Sequence, residues 1–402
     1  MAIEEQLQSA NFNRPPRLQF PDFEGEEVDI PAPPKADEQN DPPAVLNMIP
    51  LLGVSLMAIF YILVGASSGG VRFALPMLLM SGVTVGGTVL ASRWRSRDLV
   101  RRRRDELLNY YRLLESKRVT LQAAYDAQIG ILETNFPPAD SWLNFVLTRD
   151  PRLWQRRTGE ADFTAMRLGI GRAYSLVAVK PPKPETSSEA LDDAFALADH
   201  YRFLQNAPIV ASLSLDGALG VCGRRADALR ALRAMICHLA ATHAPQDLHI
   251  HLVTAYYSAW SWMEWLPHTS QSHRGGAADL LVSDTDNIRN LMGNLGQVID
   301  ERREREGQGH IPHLLLIIDD PALVESESVY LTILREGKQL GASAICIVNH
   351  FENIPADCGA ILEIKESGQF RYARTGNIGY EAEGSSIDSI SAQDAEHVAR
   401  AL

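Results

Sequence analysis

Two short stretches of this sequence carry residue types from which a phosphate site is built. The first is Gly220-Val221-Cys222-Gly223-Arg224-Arg225-Ala226-Asp227, set between a strand-like run and a helix-like run. A working phosphate loop there reads Gly-xxxx-Gly-Lys-Ser/Thr: backbone N–H groups cradle the phosphates, the lysine neutralises them and the hydroxyl holds magnesium. This stretch has the position and the glycines Gly220 and Gly223, and lacks both the lysine and the hydroxyl. Asp227 adds negative charge where phosphate would sit; an acid there suits a helix start with no anionic ligand, because it caps free N–H groups and complements the dipole. Arg224 and Arg225 are the two cations placed to stand in for the lysine. The second stretch, residues 313–320, is an apolar run ending in Asp319-Asp320, the form of a Walker B strand whose first acid holds a magnesium-bound water. Its second acid is an aspartate in place of the usual glutamate base, with a shorter reach, and Pro321 turns the chain directly after it. The six residues Gly220, Gly223, Arg224, Arg225, Asp319 and Asp320 are therefore read as a vestigial site. No catalytic residue, metal or cofactor is expected in this chain.

The elements that would position these residues alternate. Strand-like runs at 209–215, 219–222, 248–254, 313–318 and 344–348 are interleaved with helix-like runs at 226–242, 285–305 and 329–340. That order predicts an α/β fold, a parallel sheet covered by helices on both faces, over residues 207–402. Before it, residues 137–206 are expected as a small connecting unit, with strands at 163–171 and 174–179 and a helix at 188–204.

Upstream the pattern is of another kind. No charged side chain lies between Asp41 and Arg72, nor between Arg72 and Arg93. Each gap holds about 20 helical residues, enough for a hydrocarbon core of about 30 Å. Residues 44–92 are expected as a transmembrane hairpin, with spans near 45–66 and 72–91 joined by Ser67-Ser68-Gly69-Gly70. Gly82 and Gly86 form a GxxxG suited to close helix packing. The basic run Arg93, Arg95, Arg97 and Arg101 to Arg104 predicts that both termini stay on the cytoplasmic side of the inner membrane. Residues 1–43, rich in proline and acid, are expected as an extended tail that becomes ordered only against a partner, with 12–18 as its docking piece. Residues 93–136 read as a stalk helix. Val100, Leu107, Tyr111, Leu114, Leu121, Tyr125 and Leu132 form a heptad seam interrupted at Arg104, Arg118 and Gln128, which either pairs with another chain or lies on its own domain.

The net charge of −12 disfavours a general nucleic-acid binder, which needs a basic surface. Cys222, Cys237, Cys346 and Cys358 show no CxxC spacing and are expected to stay reduced. His249 and His251 lie on one strand face without further zinc ligands.

Several motifs together carry a family resemblance. They are Arg14-Pro15-Pro16; the uncharged hairpin; Leu153-Trp154-x-Arg156-Arg157 with Asp162-Phe163; Arg167-Leu168-Gly169-x-Gly171; Leu229-Arg230-Ala231; His243-x-Pro245; and Trp260-Ser261-Trp262-x-x-Trp265-Leu266-Pro267-His268. With them the chain resembles the N-terminal portion of EccC, the FtsK/SpoIIIE-type ATPase of type VII (ESX) secretion systems. The resemblance implies a degenerate ATPase-like domain behind a hairpin and stalk, followed in the family by ATPase modules that use ATP and magnesium; here those modules belong either to a longer form of the chain or to separately encoded proteins. It implies EccB, EccD and EccE membrane components as partners, exported substrates of the WXG/PE/PPE type reached through those modules, and a hexameric assembly. Two other readings stand beside it: a DNA-translocating FtsK relative, and a membrane scaffold unrelated to secretion.

Overall fold

A computed structural model describes residues 71–183, 188–269, 281–304, 311–375 and 380–402, with 16–18, 23, 25, 27–34 and single positions between 53 and 63. In chain order the elements are β1 (Glu27–Asp29), α1 (Val71–Asn135), α2 (Trp142–Leu147), β2 (Ala165–Tyr174), β3 (Ala178–Lys180), α3 (Glu189–Tyr201), β4 (Phe203–Ser212), α4 (Leu213–Asp216), β5 (Ala218–Cys222) and α5 (Arg225–Thr242). They continue with β6 (Leu248–Thr254), β7 (Leu281–Val282), α6 (Thr285–Glu304), β8 (His313–Asp319), α7 (Ser328–Glu336), β9 (Ala342–Val348), β10 (Ala360–Ile364), β11 (Phe370–Arg374), β12 (Glu381–Ile387) and α8 (Ala392–Ala401). The chain divides into two compact units: residues 1–26, 124–177 and 202–402, and residues 27–123 and 178–201.

The larger unit is built on a ten-stranded sheet in the order β4-β2-β12-β11-β10-β5-β9-β8-β6-β7. From β10 to β7 the neighbours run parallel. The two faces are sorted by the strand period of two. Leu315 and Ile317 join the core under α2, α5 and α8, while Leu314, Leu316 and Ile318 join the core under α6 and α7. Both faces are covered, so these strands are apolar throughout, as a buried parallel sheet requires.

The other four strands form an antiparallel wing. Here the structure departs from the expectation of a separate connecting unit at 137–206, because β2 and β4 are strands of this same sheet. Gly169 and Gly171 show why. A Cβ on Gly169 would lie 2.2 Å from the Ser386 carbonyl oxygen and one on Gly171 2.3 Å from that of Glu383, so only glycines let β12 close on β2. Strands β10 to β12 were not anticipated; β11 and β12 alternate buried and exposed residues, a weaker signal than an apolar run.

In the smaller unit, β1 pairs in parallel with β3, and the Ile30 N–H donates to the Lys180 carbonyl at 3.1 Å. Val28 and Ile30 are buried, and the Tyr110 hydroxyl of α1 donates to the Pro31 carbonyl at 3.0 Å. This part of the tail, expected to order only against a partner, is ordered on its own chain. Leu114 and Leu121 of the seam are buried, whereas Tyr111 is exposed and its hydroxyl donates to Asp193 at 3.2 Å.

Among the described residues no helix is long and apolar enough to cross a membrane. The first expected span, 45–66, lies almost wholly outside the described residues; over the second, the backbone is helical as the start of α1 and most side chains lie outside the description.

Candidate functional site

The loop read as a phosphate cradle is shorter than its sequence suggests. Gly220 lies within β5, in register with Cys346 of β9 on one side and Ile361 of β10 on the other. Only Gly223 and Arg224 separate β5 from α5. Gly223 has φ +152°, and a Cβ there would stand 2.7 Å from the Ile364 carbonyl oxygen, so this glycine serves the tight exit from the strand. Arg224 sits at the N-cap of α5 in extended conformation without a side-chain cap, and its Nε donates to Asp227 at 2.9 Å. Asp227, expected to cap the helix, accepts from Arg224 instead. Two residues cannot wrap a phosphate.

Arg225, the first residue of α5, turns toward β8. Its guanidinium meets Asp319 end-on, Nη1 to Oδ1 at 2.5 Å and Nη2 to Oδ2 at 2.6 Å. Oδ2 also accepts from the Thr254 hydroxyl at 2.9 Å and from the Trp260 indole N–H at 2.8 Å. Asp319 is fully buried, and Arg225 stacks on the Tyr256 ring at 4.2 Å. The hydrogen bonds to Asp319 hold the Arg225 guanidinium above its ordinary pKa. A paired, planar fork of this kind is the strongest neutralisation a carboxylate finds within a protein. It occupies the lone pairs that a magnesium-bound water would need.

Asp320 directly follows β8. It has φ +96° and caps the short turn at Pro321–Leu323, accepting from the Ala322 N–H at 3.1 Å. The sequence brought Arg225, Asp319 and Asp320 to one place, as a phosphate-loop fold would, and the side chains there bond one another. Thr254 and Trp260 were missed as members of the site; only the adjacency of β6 and β8 makes them neighbours. An open cleft of about 720 Å³ adjoins, lined by five carboxylates, Asp319, Asp320, Glu325, Glu352 and Asp357, and by the single cation Arg225. With no lysine and no hydroxyl in the loop, only two residues between β5 and α5, and Asp319 already paired with Arg225, these residues do not fit a magnesium nucleotide.

No protein-family model matches the chain. It is 24% identical over 344 residues to the ESX secretion system protein EccC of Geobacillus thermodenitrificans, covering 83% of this chain and 23% of that protein. It is 24% identical over 364 residues to the ESX secretion system protein YukB of Bacillus subtilis (88% and 24% covered) and 24% identical over 394 residues to the type VII secretion system protein EssC of Staphylococcus aureus (94% and 26%). Its homologues are the type VII secretion proteins EccC, YukB and EssC. The chain spans between 23% and 26% of the length of these relatives. Among solved structures, it is similar to ATPases 2 and 3 of EssC from Geobacillus thermodenitrificans, with TM-score 0.42 and 14% identity over 62% of this chain and 50% of that one. It is similar too to the cytoplasmic domain of the Thermomonospora curvata type VII secretion ATPase EccC, with TM-score 0.41 and 12% identity over 62% and 32%.

The motif residues that carry the resemblance act here as internal pins. The Trp154 N–H and indole N–H donate to the carbonyls of Ala241 and Ala240 at 2.9 and 3.1 Å, tying the chain after α2 to the end of α5. Arg156 is buried, donates to the carbonyls of Ala165 and Asn135, and is pushed down to about 10 by burial. The Trp-rich stretch forms three short 3-10 turns. Trp260 reaches Asp319, Trp262 is buried, and Trp265 is half-exposed under Arg400 of α8 at 3.4 Å. It thereby joins the end of β8 to the last helix.

Proposed function

We propose that this chain is a membrane-anchored component of a type VII secretion system whose sheet domain does not turn over ATP and instead holds position for the motor. The observation that carries the reading is the Arg225–Asp319 pair, which puts a protein cation where the metal of a working site would be held. The homologues support the system. The two uncharged runs before Arg93 and the basic cluster after them support anchoring in the inner membrane, with both termini cytoplasmic. In this reading EccB-, EccD- and EccE-like membrane proteins are the neighbours and the assembly is hexameric. Downstream ATPase modules supply ATP and magnesium chemistry and take up WXG/PE/PPE-type substrates.

Equilibrium dialysis of the purified chain in detergent against labelled ATP with magnesium tests the inert site. No binding is expected in the micromolar range. Micromolar binding that disappears in Arg225→Ala would overturn the reading. Anchoring is tested separately, by whether the expressed chain stays in the membrane pellet after carbonate extraction; release into the supernatant sinks that part.

A further inference from the structure

The cleft beside Asp319 is lined in a way that suits an occupant other than phosphate. Its space, about 720 Å³, falls within the span of built ligand sites, roughly 300–1,000 Å³. Leu331, Leu334, Ile354 and Pro355 give it an apolar wall, with Leu331 37% exposed, and Phe351, next to the lining residue Glu352, is 53% exposed. Asn349 and Asn353 bring side-chain amides, each able to donate to a peptide carbonyl and accept from a peptide N–H. Glu325 and Glu352 are exposed carboxylates that make no ion pair among the described residues, while the one lining cation is already held by Asp319. No group of three or more His, Cys, Asp or Glu among the described residues is close enough to hold a metal ion. Glu325 and Glu352 therefore leave the cleft with negative charge open to a cationic partner.

We propose that this cleft binds an extended protein segment bearing arginine or lysine beside an apolar side chain. The basic groups lie against Glu325 and Glu352, the apolar one against Leu331 and Ile354, and the backbone meets Asn349 and Asn353. Charge complementarity selects this partner: an acidic segment, a nucleic acid or a nucleotide would be repelled by the same carboxylates. The inference rests on the closed Asp319 site and not on the role in secretion.

The test is fluorescence anisotropy of the full chain in detergent with a labelled Gly-Leu-Arg-Leu-Arg-Leu-Gly peptide and its counterpart with glutamate at both arginines. The arginine peptide is expected to bind and the glutamate peptide not to, with affinity falling as salt rises. Glu325→Gln combined with Glu352→Gln is expected to weaken binding about tenfold or more, and Leu331→Ser to weaken it as well. Asp286→Asn with Asp300→Asn, which removes the same charge from exposed positions on α6, is expected to leave it unchanged. Absence of binding, equal binding of both peptides, or indifference to the cleft substitutions in variants with unaltered unfolding midpoints overturns the proposal. If no peptide binds and no nucleotide binds either, this inference falls while the inert-site reading stands. Displacement of the peptide by magnesium ATP sinks both.

Discussion

The state of one carboxylate decides what the site can do. Asp319 takes its four hydrogen bonds from Arg225, Thr254 and Trp260, three side chains on three different stretches of chain. Removing one partner of a buried ion pair strands the other, at a cost of about 3–5 kcal/mol, whereas replacing both by apolar groups can be neutral. Arg225 is 31% exposed, so water relieves part of that cost. Arg225→Ala is therefore expected to destabilise the larger unit by about 2–3 kcal/mol, and Arg225→Met with Asp319→Leu to recover most of the loss. Urea unfolding followed by tryptophan fluorescence checks both; equal loss in the single and double variants would contradict the account. Trp260→Phe keeps a six-membered aromatic ring but loses the pyrrole ring with its N–H donor, and about 2–3 kcal/mol of loss is expected in the same assay, from the lost hydrogen bond and the cavity left at this buried position.

At the scale of elements, part of the seam of α1, Leu114 and Leu121, is buried within its own chain, while Val100 and Tyr111 stay exposed. Gln128 looked like a break in a heptad pattern. It is 2% exposed, and its Oε1 accepts from the Leu176 N–H at 2.8 Å, closing the turn after β2. Gln128→Leu, which would improve a coiled-coil seam, is expected to destabilise the fold by about 1–2 kcal/mol because it removes the acceptor of that N–H and the hydrogen bond that Gln128 donates to the Ser175 hydroxyl. Stabilisation in thermal unfolding would instead favour a pairing stalk. The tail behaves similarly. Residues 12–18 were expected to dock on a partner; of them Pro16, Arg17 and Leu18 are described, and Arg17 pairs with Glu160 and, at 2.5 Å, with Asp162. Further along, burial of Val28 and the β1–β3 pairing tie residues 27–30 down. Val28→Asp is expected to release β1 and speed proteolysis before Pro31, with the β8 core unaffected.

For the molecule as a whole, histidine burial sets the response to acid. His251 and His313 are held down to about 3 and His268 to about 4, in each case chiefly because burial disfavours the charged ring. These groups bind protons in the unfolded chain near pH 6.5 and in the folded chain only well below it. Stability is therefore full above about pH 6.5 and is lost as pH falls toward the folded values. At pH 5.5, still above all three folded values, each histidine costs about 1 kcal/mol, a figure set by the unfolded pKa. Unfolding midpoints measured from pH 7.5 to 5.5 should drop accordingly, and His251→Gln should flatten the slope. A flat profile would show that these rings are not neutral and buried.

What the sequence determined by itself was whatever depends on local order. Apolar runs and glycine breaks located four of the parallel strands, β5, β6, β8 and β9, and the helices between them, and the missing lysine and hydroxyl of residues 220–227 already marked the phosphate loop as incomplete, because those requirements concern adjacent residues. The tertiary structure decided what depends on register and packing. It left only Gly223 and Arg224 between β5 and α5, added β2 and β4 to the sheet through the close approach of β12 at Gly169 and Gly171, and set Arg225 on Asp319. An arginine's long side chain reaches in any direction within its length, so its sequence position leaves its partner open. Only the juxtaposition of α5, β6 and β8 selects Asp319.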